Sequence, residues 1–315
     1  MLDGSDGIIR GTYHKTGNNG SGAQSNSIEQ DRVGVVFLNG WPATRAGRGD
    51  AAVYWADSFA ERGYPSFRLD LPGFGDSDGE PPTEWLRFIN LGGYASLISA
   101  KIKELIARFN LSGVVVVGHC AGAVSAIYTA AINRECRGLV LIDPYFYSSH
   151  TERGEVRQQL SLWAKQGRVG GVLRNIFGRL RNIYLFFGRN VYPDHANISL
   201  LRHWKELAST GMPILILKVP DRKTPDMKPR AGEFDYFKYI QRLAGHRGRV
   251  DVKSIDGANH TFSNRAGRAG VCQHTEQWLD AYFPLAGCRD RGSDMSDVCS
   301  EPDKSTMAIE TASGV

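Results

Sequence analysis

Cys120 stands at the centre of Gly118-His119-Cys120-Ala121-Gly122, between four valines (Val114 to Val117) and a run of small residues beginning at Ala121. Four consecutive β-branched residues predict a buried parallel strand, and the small residues predict a helix lying close against it. So sharp a strand-to-helix turn holds its central residue in strained geometry and crowds that residue's neighbours, which is the reason for the two glycines. The turn lifts one side chain to the top of the sheet, beside a helix N-terminus whose unpaired N–H groups favour negative charge. A thiol placed there is favoured as thiolate, and a nearby histidine makes it a nucleophile. His260, in Asp256-Gly257-Ala258-Asn259-His260-Thr261-Phe262, is the candidate base. It would take the thiol proton and later return it to a leaving group, or pass it from an attacking water or alcohol.

A sheet must carry both groups, and the chain supplies its strands in order. Val33–Leu38, Pro65–Asp70, Gly138–Pro144, Met212–Lys218 and Val250–Ile255 are apolar or alternating runs of strand length. Between them, Ala51, Ala52, Trp55, Ala56, Phe59 and Ala60 recur at helical spacing, and one helix is predicted from about Glu84 to Phe109. A last helix is expected over Trp278–Phe283. Strands alternating with helices predict an α/β fold with a mostly parallel sheet joined by right-handed crossovers. Asp70-Leu71-Pro72-Gly73-Phe74-Gly75-Asp76-Ser77 reads as a turn, with Asp70 and Asp76 as turn-fixing carboxylates. Tyr145 to Ser209 breaks the alternation, with helical patterns but no strong central strand.

Composition narrows the classes. Hydrophobic content of 42% over 315 residues supports a large core, and no apolar run is long enough to span a bilayer. The amino end is polar and glycine-rich, without the apolar segment of a signal peptide, so a cytoplasmic protein is expected. Five cysteines without regular spacing argue against a disulfide framework. No Cys-x-x-Cys pair or His/Cys cluster suggests zinc, and no cofactor or metal is expected. The formal charge of +5 is spread along the chain and makes no nucleic-acid footprint. Oligomeric state is not legible.

From Val33 to Phe283 the chain resembles the α/β-hydrolase superfamily, through Asn39-Gly40-Trp41, the Asp70–Ser77 turn, the Gly118–Gly122 turn and Gly257–Phe262. The resemblance implies an α/β-hydrolase fold: residues 33–144 and 210–285 as the core, its central sheet flanked by helices, and 145–209 as a helical cap over the pocket. Residues 1–32 form a polar leading segment with an edge strand within Ile8–His14, and 286–315 a disordered tail. It also implies the order nucleophile, acid, histidine, here Cys120, Asp221 and His260, with Asp143 as the alternative acid at the strand end where some members keep it. The oxyanion hole would take the N–H groups of Trp41 and Ala121. More narrowly, the chain is similar to cysteine-bearing hydrolases of exosortase and exopolysaccharide loci, although Asn259 stands where those have an acid.

An acyl group on sulfur is a thioester, so receiving it from another thiol is nearly isoenergetic and it stays reactive toward water, alcohols and amines. The expected function is therefore acyl processing by a Cys-His-Asp triad, as a thioesterase or acyltransferase. The substrate would be a small acyl compound, free or presented on coenzyme A or an acyl carrier protein, and the basic residues of the cap, such as Arg174, Arg179 and Arg181, would suit such a carrier. Two other readings stand beside it: a lyase on the same fold that eliminates a group such as acetate, and a non-catalytic binding module.

Overall fold

The computed structural model describes residues 8–16, 32–40, 42–147, 196–220, 235–246 and 248–285. Seven strands form one sheet in the order β1-β3-β2-β4-β5-β6-β7: β1 (Gly11–His14), β2 (Val33–Leu38), β3 (Ser66–Leu69), β4 (Gly113–His119), β5 (Cys136–Ile142), β6 (Pro213–Lys218) and β7 (Arg249–Ser254). Strand β1 runs antiparallel to β3 at one edge, and every other neighbouring pair is parallel. The described helices are α1 (Ala51–Glu61), α2 (Trp85–Asn90), α3 (Ala95–Phe109), α4 (Ala121–Ile132), α5 (Ile198–Ser209), α6 (Tyr236–Ala244) and α7 (Arg265–Tyr282).

Side chains alternate across each strand, and both faces are covered, so the middle of each central strand is a continuous apolar run. Val36, Leu38, Val114, Val116, Leu139, Leu141 and Ile216 pack in the cluster that includes Ile98, Ile127 and Trp204 of α3, α4 and α5. Their neighbours Val35, Phe37, Val115, Val117, Val140, Ile142 and Leu217 pack with Trp55 and Phe59 of α1 and Trp278 and Leu279 of α7. Burying one such side chain fully contributes about 1.5–3 kcal/mol. The chain leaves β2 toward β3 on one side and returns to β4 on the other, so the sheet's order reverses between β2 and β4. In open α/β sheets the crevice at such a switch point, beyond the carboxyl ends of the strands, is where ligands bind.

Three helices differ from the sequence expectation. The single helix read over Glu84–Phe109 is two, because Leu91-Gly92-Gly93 interrupts it with Gly92 at φ 76°. The last helix begins well before Trp278, at Arg265, where the Asn264 side chain caps it by accepting from the N–H of Gly267 at 2.9 Å. Helix α5 lies within the stretch read as cap, yet Leu200, Leu201 and Trp204 are fully buried among residues of the sheet and α4. The rest of that stretch, residues 148–195, lies outside the described residues, as do 1–7 and 286–315. Among the described residues no helix is long and apolar enough to cross a membrane.

Candidate active site

Cys120 joins β4 to α4 as the N-cap residue of the helix, with φ 52° and ψ −112°. A positive φ at a non-glycine residue is a strained conformation that surrounding contacts must hold. Those contacts come from close backbone packing. A Cβ on Gly122 would lie 2.0 Å from the carbonyl oxygen of Leu38, and one on Gly118 would lie 2.5 Å from Cα of Ala123. Neither neighbour can swing aside, since both are main chain. The N–H of Cys120 donates to the carbonyl of Ile142 at 2.9 Å, which ties the turn to the end of β5. The loop after β2 approaches just as closely: a Cβ on Gly40 would sit 3.0 Å from Cβ of Cys120 and 3.7 Å from the N of Ala121. Cys120 is therefore half-buried at the switch point, with the first N–H groups of α4 beside it.

Asp143 is the first residue after β5, fully buried, with φ 45° and its own N–H donating to Leu217 at 2.7 Å. Its Oδ2 pairs with Nδ1 of His260. Nδ1 therefore donates to the carboxylate, and in the neutral ring Nε2 is left with the lone pair that a base needs. The His260 side chain is 41% exposed, so the ring reaches the surface of the crevice while its acid partner is closed off from water. Asn259 builds the turn that carries the histidine. Its side-chain oxygen accepts from the N–H of Ser263 and the hydroxyl of Thr261, both at 3.1 Å, and its carbonyl accepts from the N–H of Phe262 at 2.9 Å. Of the two carboxylates nominated from sequence, the one against His260 is Asp143; Asp221 and the oxyanion candidate Trp41 lie outside the described residues.

The sequence profile of the Alpha/beta hydrolase family matches residues 35–272. The chain belongs to that family. Among solved structures, this α/β-hydrolase is similar to DcsB in complex with its substrate analogue (16% identity, 88% of this chain and 96% of that one, TM-score 0.51). It is also similar to Est1E from Butyrivibrio proteoclasticus with ferulic acid bound (13% identity, 86% and 95%, TM-score 0.51) and to a Pyrococcus furiosus esterase (14% identity, 82% and 83%, TM-score 0.51). At such identities the likeness is one of fold. No curated protein sequence matches the chain significantly.

Beside the strand-to-helix turn the α/β-hydrolase has a narrow cleft bounded by Leu69, Leu71, Phe74, Ile89, Tyr94 and the Ala121–Gly122 start of α4. Asn39 and Ser125 add its polar edge. The Tyr94 hydroxyl donates to the carbonyl of Pro72 at 3.4 Å, and burial pushes its pKa up to about 12, so this wall stays neutral. Asp70 braces the same loops. It accepts from the N–H groups of Arg45 at 2.5 Å and Asp76 at 3.1 Å and pairs with the Arg45 guanidinium, while Ser77 Oγ donates to its carbonyl at 2.8 Å. Asp70 is thus the turn-fixing carboxylate its motif predicts. One further residue carries no sequence signal beyond its place next to Cys120: His119, whose Nε2 lies 2.9 Å from the carbonyl oxygen of His260. Among the described residues no group of three or more His, Cys, Asp or Glu side chains could hold a metal ion.

Proposed function

We propose that Cys120, His260 and Asp143 act as a triad on a thioester or ester carbonyl, through an acyl-cysteine intermediate. The observations that carry this reading are the pair formed by buried Asp143 and His260 Nδ1 and the bond from the Cys120 N–H to the carbonyl of Ile142, which sets the cysteine, held at φ 52°, next to the strand end that bears Asp143. In this mechanism Nε2 of His260 takes the thiol proton as sulfur attacks the carbonyl carbon. The N–H of Ala121, with that of Trp41 from the loop after Gly40, receives the oxyanion. Collapse expels the leaving thiolate or alkoxide, which collects the proton from His260. Water or a second alcohol then attacks the acyl-cysteine, gives its proton to Nε2, and restores the thiol as the acid or new ester departs. Asp143 keeps Nδ1–H toward itself and stabilises the imidazolium formed at each proton transfer.

Leu71, Phe74 and Ile89 line the narrow cleft against Ala121 and Gly122, and the hydrocarbon part of the acyl group would have to widen it to pack against them. A sulfur nucleophile favours donors that are themselves thioesters, whether the thiol belongs to coenzyme A or to a carrier protein. Rapid-quench intact-protein mass spectrometry with acetyl- and benzoyl-thioesters of coenzyme A and the matching nitrophenyl esters tests the reading. An acyl mass on the wild type that is absent from Cys120→Ala is expected, with decay hastened by added alcohol if the enzyme transfers. Turnover that persists in Cys120→Ala while His260→Ala abolishes it overturns acyl chemistry in favour of elimination.

A further inference from the structure

We infer that His119 is a positioning residue, which ties the backbone of the base to the residue preceding the nucleophile. A carbonyl oxygen only accepts, so the 2.9 Å contact between Nε2 of His119 and the oxygen of His260 requires a hydrogen on that nitrogen. His119 ends β4 and is bonded to Cys120, whereas His260 comes 141 residues later on the turn after β7. This bond links the tip of β4 directly to the turn that delivers the imidazole. The rings of His119 and His260 lie 5.7 Å apart between centroids, and His119 meets the ring of Phe262 edge-on at 6.1 Å and 87°. Phe262 is fully buried with φ 50°, so the turn is anchored in the core just past the base.

Two of the contacts that hold His260 act on different parts of it. Asp143 fixes its ring through Nδ1, and His119 fixes its main chain. One anchor leaves the ring free to pivot about the Asp143 contact; two define where Nε2 points. Proton transfer needs the base within hydrogen-bond reach of the thiol, and a displacement of about 1 Å costs on the order of 10²-fold in rate. The expected consequence falls on kcat, since His119 makes no claim on the acyl cleft.

This inference rests on reading Cys120 and His260 as nucleophile and base, and the test separates the two. The probes are p-nitrophenyl acetate turnover and the pH profile of Cys120 alkylation by iodoacetamide, measured for His119→Phe, His119→Gln, Cys120→Ala and His260→Ala. His119→Phe keeps ring volume and loses the donor; Gln restores an N–H at the same reach. The expected result is a kcat lowered tenfold or more in His119→Phe with KM within twofold, recovery of most of it in His119→Gln, and an alkylation profile displaced in Phe but not in Gln. If both variants keep wild-type kcat and profile, or if Gln falls as far as Phe, the positioning role is wrong even though Cys120→Ala and His260→Ala are inactive. Activity surviving in those last two overturns the underlying reading of the site instead. Should His119→Phe fail to fold, the Gln variant against His119→Asn, whose shorter amide cannot span the contact, reads the same difference.

Discussion

The carboxylate of Asp143, closed off from solvent at the end of β5, accepts a hydrogen bond from Nδ1 of His260, 117 residues further along the chain. That contact decides which face of the imidazole can act as a base. Replacing Asp143 by Asn keeps the size of the side chain and a residue type that tolerates positive φ. The amide N–H, turned toward the ring, holds Nδ1 as an acceptor and so leaves the proton on Nε2. Steady-state kinetics of Asp143→Asn are expected to show kcat reduced by roughly 10³–10⁴, the size of this exchange in serine triads, with circular dichroism unchanged.

Two other described cysteines, Cys136 and Cys272, are buried, and burial pushes each thiol up to about 12. Near pH 7.5 both stay protonated and shielded, and thiolate is the reactive form. Brief treatment of the native protein with iodoacetamide should therefore label the Cys120 peptide well before those carrying Cys136 and Cys272. Equal labelling of the three in a peptide mass map would contradict the placement of Cys120 at the crevice.

Gly122 faces the carbonyl of Leu38 so closely that a methyl group would lie 2.0 Å from the oxygen. Strand β2 and helix α4 must part to admit it. Gly122→Ala is expected to lose about 1–3 kcal/mol in urea unfolding, the usual cost of overpacking. Activity should fall with it, because the same movement carries Gly40 away from Cys120. A variant as stable as the wild type would mean that the elbow is looser than its contacts indicate.

His274 on α7 has its pKa held below the ordinary 6.5, first by burial and then by the charge of Lys253. The unfolded chain therefore binds a proton at this position before the folded one does. Stability contributed by the neutral ring is present above pH 6.5 and declines as the pH falls from there through the folded pKa. His274→Gln, compared with the wild type by thermal melts between pH 7.5 and 5, should show a smaller drop in melting temperature; an equal or larger drop would contradict this.

Much of this protein is written locally. The valines before Cys120, the two glycines around it and the Gly-Ala-Asn-His turn each constrain their own neighbourhood, so the strand, the strand-to-helix turn and the turn bearing His260 are legible from short stretches. The helix break at Leu91-Gly92-Gly93 could have been read from its glycine pair, a breaker signal that the apolar residues on both sides of it obscured. The early start of α7 is hidden for the opposite reason: Arg265 to Gly270 has little apolar pattern, and its helix is held by the Asn264 cap and by Val271, Trp278 and Leu279 packed against the sheet.

Amino-acid sequence alone determined that a cysteine would stand on a tight turn at the end of a buried strand, and it nominated a histidine near the far end of the chain as the base. Tertiary structure alone decided which carboxylate meets that histidine and what holds its backbone. Asp143 follows β5 and Asp221 follows β6; the sequence favoured Asp221 and left Asp143 as the alternative. The choice rests on contacts of about 3 Å between segments more than a hundred residues apart, and local pattern carries no information at that range.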